Sequence, residues 1–496
     1  MKKIKYICLL VFTISFAACD DRLEIDPPFA EDAESFFNTQ EDYERALIGA
    51  YDLLQTSYLN NWIGEIASDN AIAGGESVND SRGLHQIDEM THGGVNDELR
   101  NVLRFNYAGI TRVNYMFEFR DKIDFEGKDV LYAEAAFLRA YYYFQLVKYF
   151  GDIPLIVDRR LGIEEAVSID RTPKEQVYAQ IEADLQVASE VLEWTNSVKG
   201  RITKGAALAL LGKVYLYQDK FTEAATTLDR VINEGPYSTI TTTTSEEYTA
   251  LFSVEQEGNL ESVFEIQYTG VEGGSYGCLV CLEGNAALGF QGIRQYEGPI
   301  YGDGNSYNLP TEDLYNAFDP SDIRRDGTVL DIEAFIAEQE NPADIKYVIG
   351  GGGHTGYYNN KYIKRLDELG AGDNDLTSPV NYRVIRYPDV LLMAAEAHNR
   401  KPSANDGLAQ DYLNQVRNRV GLSAINVTGQ ALTEAIWEER RFELSGEGHR
   451  FFDLVRTGQA SESIEGFQVG KNELFPIPQI EIDLVGGTWE QNPNYN

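Results

Sequence analysis

Apolar residues recur at helical spacing through the first half of the chain. Over residues 42–57 Leu47, Ala50, Tyr51 and Leu54 share one stripe, and Thr39 with Asp42 gives a capping-box start. A second helix is expected over 98–123. A third is expected over 129–150, with Leu131, Ala135, Leu138, Tyr142 and Leu146 on one face and Gly151 and Pro154 ending it. Thr172-Pro173-Lys174-Glu175 reads as a helix start with Thr172 as the cap. Residues 58–97, rich in Gly, Asn and Asp, read as a long loop.

Leu211-Gly212, Tyr215, Ala224, Leu228 and Pro236 follow tetratricopeptide spacing, with Leu in place of Phe. Gly212 and Ala224 allow two antiparallel helices to approach closely, and Tyr215 and Leu228 fill the seam. One such pair cannot bury its own face, so further pairs must stack on it. Residues 386–399 and 408–420 read as another pair. Between 237 and 383 the pattern changes to short apolar runs such as 262–268, separated by Gly-rich and Tyr-rich loops. The expected fold is mostly α: a tetratricopeptide-like helical repeat scaffold carrying an irregular, loop-rich segment with small β-hairpins. At 496 residues the chain is long enough for two subdomains or one large layered globule.

The N-terminus reads as an address. Lys2, Lys3 and Lys5 precede an apolar run, residues 6–16, and Ala17-Ala18 precede Cys19. The run is too short to span a bilayer and has the form of a removed signal, residues 1–18. Cys19 in this position fits lipoprotein processing, with acylation of its thiol and residues 19–40 as an acidic, Pro-containing tether. The lipid would then be the only membrane anchor. The remaining divisions are a helical region over 41–236, the loop-rich segment over 237–383 and a C-terminal helical region over 384–496.

The net charge is −37, and removal of the signal leaves 39 basic against 79 acidic residues, or −40. That balance disfavours nucleic acid, whose phosphates require basic patches, and points to a neutral ligand. Cys278 and Cys281 form one CxxC in a Gly-rich loop, without the strand–helix setting of a redox motif or the further ligands of a zinc site. A local disulfide is preferred there, with free thiols as the alternative. Gly351-x-Gly353-x-x-Gly356 is not followed by a helical pattern, so a flexible hairpin is expected rather than a nucleotide loop. No two histidines stand at metalloprotease spacing, and no nucleophile elbow occurs. His449 is expected in a structural Arg–Glu–His network, and Glu438-Glu439-Arg440-Arg441 on a solvated face. Asp303-Gly-Asn305 and Asp373-Asn374-Asp375 have side chains that could bind calcium but lack the ligand spacing of an EF-hand, and solvated turns are the preferred reading. No metal or cofactor is expected.

Several long blocks, in order, carry a family resemblance. They are Ala133-Glu-Ala-Ala-Phe-Leu-Arg-Ala-Tyr-Tyr-Tyr-Phe144 with Gly151-Asp-Ile-Pro154, Gly200-Arg-Ile-Thr-Lys204, and Arg386-Tyr-Pro-Asp-Val-Leu-Leu-Met-Ala-Ala-Glu-Ala397. The C-terminal part adds Glu439-Arg-Arg-Phe-Glu-Leu444, Gly448-His-Arg-Phe-Phe-Asp-Leu-Val-Arg456 and Gln491-Asn-Pro-Asn-Tyr495. With these the mature chain resembles the SusD/RagB family of outer-membrane lipoproteins. The resemblance implies about four tetratricopeptide-like units and no enzyme. It implies a lid on a SusC-like, TonB-dependent transporter that captures glycan on the extracellular side of the outer membrane. Capture of peptides or another nutrient by the same architecture is the alternative. It also implies that the shared blocks belong to the scaffold and that ligand residues lie on the loops.

Sugar rings present flat C–H faces to aromatic rings, and their hydroxyls need polar partners. The first loop offers Trp62, Asp69, Asn70, His92, Asn96 and Asp97. The later segment offers Tyr276, Arg294, Tyr296, Tyr301, Tyr307, Tyr357 and Tyr358. No tryptophan stands between His92 and Asp97, where some starch binders of the family carry stacking residues, which argues against starch.

Overall fold

The helical stripes fold as their spacing requires. A computed structural model describes residues 36–271, 283–371 and 376–495. Helix α1 (Gln40–Asp52) begins with the expected capping box: the Thr39 N–H donates to the Asp42 carboxylate at 2.8 Å, and the Asp42 N–H donates back to the Thr39 hydroxyl. Residues 58–97 are not the long loop expected. They contain α2 (Tyr58–Ile66), β1 (Ala71–Ala73) and α3 (Arg82–Asp88). Every residue of α2 is buried, its polar Asn60, Asn61 and Glu65 as well as its apolar stripe of Tyr58, Leu59, Trp62, Ile63 and Ile66.

The scaffold continues through α4 (Asp97–Glu118), α5 (Lys128–Phe150), α6 (Lys174–Val191), α7 (Lys204–Leu216) and α8 (Phe221–Glu234). It resumes, after the loop-rich segment, with α9 (Tyr387–Arg400), α10 (Asp406–Asn418), α11 (Gln430–Leu444) and α12 (Arg450–Arg456). Helix α1 packs on α4, each helix from α4 to α9 packs on the next, and α9 also packs on α10 and α11. The repeat thus runs directly from α8 to α9 although 152 residues separate Glu234 from Tyr387. In the α7–α8 seam a Cβ on Gly212 would lie 2.5 Å from the Leu228 side chain, so only glycine permits this approach. Thr172 does not cap α6: its backbone pairs with Ile153, and the Asp152 carboxylate accepts from the Lys174 N–H at 2.8 Å instead.

The blocks that carry the family resemblance hold a buried ion network. Glu443 lies 2.9 Å from Arg386 and 3.1 Å from Arg324, and also pairs with Arg419. Glu447 takes Arg386 at 2.6 Å and Lys361 at 2.8 Å. Asp389 accepts from Arg440 at 2.7 Å and from Lys213 at 3.2 Å. Lys213 also donates to Nδ1 of His449 at 3.2 Å, which requires a neutral imidazole; burial, with Lys213 beside it, holds this histidine down at about 3. His449 is therefore in the structural network expected of it. Glu439 and Arg440 are buried in that network rather than on a solvated face, because they fall on the inward face of α11 with Leu432, Ile436 and Glu443, while Glu438 is exposed.

Among the described residues the strands form four two-stranded pairings. β2 (Ser262–Ile266) pairs antiparallel with β8 (Tyr382–Arg386) and seats the two ends of the loop-rich segment on the helices. β3 (Ile293–Arg294) pairs with β4 (Asp303–Gly304), β1 with β5 (Asn308–Pro310), and β6 (Val329–Asp331) with β7 (Tyr357–Asn359). One apolar core extends from Phe37 to Ile482, so the layered globule is the architecture adopted. A small satellite core around Ile293, Leu309, Leu330 and Tyr358 holds the loop-rich segment together. No described helix is long and apolar enough to cross a membrane.

Candidate ligand-binding surface

Three segments distant in sequence converge on one rim. β1 pairs with β5 in the register Ala71↔Pro310 to Ala73↔Asn308, and the ladder continues as Gly74 N–H to Tyr307 O at 3.0 Å and Gly75 N–H to Ser306 O at 2.8 Å. The third segment lies alongside. Gly351 N–H donates to Glu76 O at 2.8 Å and Gly352 N–H to Gly75 O at 3.2 Å, while Val348 N–H donates to Arg294 O at 2.9 Å. A Cβ on Gly350 would sit 2.1 Å from the Gly75 carbonyl oxygen. The Gly351-x-Gly353-x-x-Gly356 run is therefore neither a nucleotide loop nor a free hairpin: its glycines allow backbone to lie directly on backbone.

This framework presents a mixed aromatic and polar surface. The half-buried Tyr307 ring rests on an aromatic base, with Phe290 at 5.6 Å and Trp62 at 6.3 Å. Its hydroxyl donates to Asp80 Oδ2 at 2.8 Å, and the same oxygen accepts from the Glu76 N–H at 3.0 Å. Arg294 pairs with the exposed Glu76 at 3.3 Å. The rings of Tyr347 and His354 lie 5.9 Å apart, and burial holds His354 below the ordinary histidine range. Nearby, Tyr357 stacks on Tyr315 at 4.8 Å, with the Arg325 guanidinium 4.8 Å over Tyr315. Aromatic faces bordered by carboxylates and guanidinium groups suit a ligand with apolar C–H faces and many hydroxyls.

The sequence-derived candidates divide. Arg294, Tyr307 and Tyr357 are partly exposed on this part of the molecule, and Asp97 is exposed in the first turn of α4. The others serve the fold, which corrects the expectation that they face a ligand. Trp62 packs edge-on against Phe290 at 4.7 Å beneath Tyr307. Asp69 is clamped by Arg450 at 2.7 and 2.8 Å, and Asn70 accepts from Arg441 at 2.9 Å, tying this segment to the C-terminal helices. Asn96 is the cap of α4, its side-chain oxygen accepting from the N–H groups of Glu98 and Leu99. His92 is buried between the Gln86 carbonyl and the Tyr495 hydroxyl, and desolvation lowers it to about 4. Tyr296, Tyr301 and Tyr358 fill the satellite core. Tyr276, Cys278, Cys281, the run 373–375 and Cys19 lie outside the described residues.

Asp80, Glu76, Tyr347, His354 and Tyr315 were not singled out as ligand residues by sequence. Asp80 and Glu76 lie in a segment chosen for its composition, but composition does not say which acid meets Tyr307. Among the described residues no group of three or more His, Cys, Asp or Glu is arranged to hold a metal ion.

Comparison with known proteins decides the family. A solved laminarin binding SusD-like protein superposes with a TM-score of 0.83 at 34% identity, covering 92% of this chain and all of the other. The chain belongs to the SusD family. The model described as SusD family matches residues 261–473, and one described as starch-binding associating with outer membrane matches 22–216. SusD-like protein P2 of Formosa agariphila is 29% identical over the full length of both chains. Surface glycan-binding protein A from Bacteroides thetaiotaomicron superposes with a TM-score of 0.82 at 26% identity, covering 93% of this chain and 100% of that one. The two solved SusD-like structures share the fold over more than nine-tenths of this chain.

Proposed function

We propose that this SusD-family protein captures a neutral glycan on the outer face of the outer membrane and passes it, without cleaving it, to a SusC-like TonB-dependent transporter. The observation that carries the reading is the Tyr307–Asp80–Arg294 rim, an aromatic face with polar groups at its edge, mounted on the scaffold shared with a laminarin-binding relative at 34% identity. A β-glucan of the laminarin type is the first ligand to test. The −40 balance of the mature chain supports a neutral polymer over an anionic one. Cys19 carries the lipid in this reading, and the acidic tether holds the globule beside the transport barrel. Tyr307 supplies the ring face, Asp80 and Arg294 the hydroxyl contacts, and Tyr357 with Tyr315 a second platform.

Affinity gels cast with neutral and acidic polysaccharides test the reading. Retardation in laminarin or another neutral glycan, with the polymer recovered at unchanged length, is expected. No retardation in any gel, or shortening of the polymer, overturns it.

A further inference from the structure

A second concave site lies away from this rim, on the helical scaffold. It is a groove of about 350 Å³, within the roughly 300–1,000 Å³ of small-molecule sites. Its walls are the connection between α6 and α7 (residues 194–203), Pro236 and Tyr237 after α8, and the strand β2 with its approach. None of the rim residues lines it. We propose that this groove is a second carbohydrate-binding site, taking a short stretch of the same neutral glycan that the rim holds.

The side chains fit that ligand class. Trp194 is half-buried in the wall, and among the described residues it stacks on no other ring. Tyr237 stands in the same groove, its ring 6.4 Å from Tyr387 behind it and its hydroxyl 3.4 Å from that of Thr203. The amide of Gln267 has no hydrogen-bond partner among the described residues, and Asn259 uses only its oxygen, accepting from the Glu261 N–H at 2.9 Å. One ring face with uncommitted amides beside it is what a pyranose requires: a flat apolar surface for its C–H face, and groups that both donate to and accept from its hydroxyls.

Charge in the groove is already answered. Lys199 pairs with Glu257 at 3.3 Å and Arg201 with Glu134 at 3.1 Å, which leaves a neutral, hydrogen-bonding surface and disfavours an anionic ligand. The shape is built into the Gly200-Arg-Ile-Thr-Lys204 block. Gly200 adopts φ +86°, and a Cβ there would meet the Gln267 side chain at 2.4 Å, so glycine both makes the turn and leaves Gln267 its place.

The inference rests on the glycan reading above, and one experiment separates the two. The full mature chain is titrated calorimetrically with a laminarin hexasaccharide and run in laminarin gels, alongside Trp194→Ala and Gln267→Ala. Gln267→Ala removes no internal hydrogen bond and serves where Trp194→Ala disturbs packing; thermal unfolding confirms that each variant is folded. Two sites per wild-type chain are expected, falling to one in either variant. Laminarin retention should weaken about tenfold, because a polymer spanning two sites gains avidity. One site in the wild type, with stoichiometry and retention unchanged in both variants, overturns the second site and leaves the rim standing. Absence of binding by the wild type overturns the glycan reading and the second site with it.

Discussion

The Tyr307 hydroxyl donates to Asp80 at 2.8 Å across 227 positions of sequence, and this bond joins the two loop regions that frame the rim. Removing the ring should cost more than removing the bond. Tyr307→Ala is expected to weaken laminarin binding about tenfold or more, about 1.4 kcal/mol, while Tyr307→Phe loses only a few-fold. Titration calorimetry reads both; equal affinities for wild type and Tyr307→Ala would remove Tyr307 from the site.

Gly350→Ala tests the backbone framework. Its Cβ would meet the Gly75 oxygen at 2.1 Å, so the two segments must part, at a cost of about 1–3 kcal/mol. Faster hydrogen exchange at Gly351 and Gly352 and weaker glycan retention are expected together. Unchanged exchange would show that the segments do not depend on this contact.

Trp62 supports the site from below. Trp62→Ala should lower stability by about 3–5 kcal/mol, read by chemical denaturation, because it empties buried volume under Phe290 and Tyr307. A variant of wild-type stability with weakened binding would place Trp62 at the ligand instead.

Glu443→Gln would leave Arg324, Arg386 and Arg419 buried around an uncharged amide. Each guanidinium keeps another carboxylate, Arg324 with Asp322 and Glu439, Arg386 with Glu447 and Arg419 with Glu261, so a loss of about 3 kcal/mol, the low end for a broken buried pair, is expected. Denaturant midpoints check it, and a change below the error of the fit would contradict the network's role.

Two buried histidines give the stability of the fold a pH dependence of known sign. His92 is held at about 4 and His449 at about 3, against 6.5 when unfolded, so the unfolded chain binds more protons below 6.5. The contribution of these histidines therefore falls as pH drops from about 6.5 toward 4 and below, by up to about 3 kcal/mol for His92. Burial lifts Glu65 to about 7, which has the opposite sign: its neutral form is favoured in the fold, and stability falls as pH rises from 4.5 toward 7. His92→Gln should flatten the acid limb of a melting-temperature profile; an unchanged limb would contradict the assignment.

The scaffold was legible because its signals are local. Gly212 with Leu228, the Thr39–Asp42 box and the α5 stripe each act over a few residues, and each appears where expected. Helix α2 was missed although Tyr58, Leu59, Trp62, Ile63 and Ile66 keep helical spacing, because the Gly, Asn and Asp of the surrounding stretch give it the composition of a loop. Most candidate ligand residues turned inward for a related reason. An aromatic or amide in a Gly-rich stretch looks alike in sequence whether it meets a sugar or, like Trp62 and Asn96, a neighbouring segment. Only the pairing of β1 with β5 decides that Tyr307 faces Asp80.

The most direct measurement is a crystal structure of the protein with a laminarin hexasaccharide. Ordered sugar over the Tyr307 ring, with hydroxyls within hydrogen-bonding distance of Asp80 or Arg294, is the predicted result. Ordered sugar elsewhere on the molecule with the Tyr307 rim bare, or no ordered sugar at saturating concentration, would contradict the account.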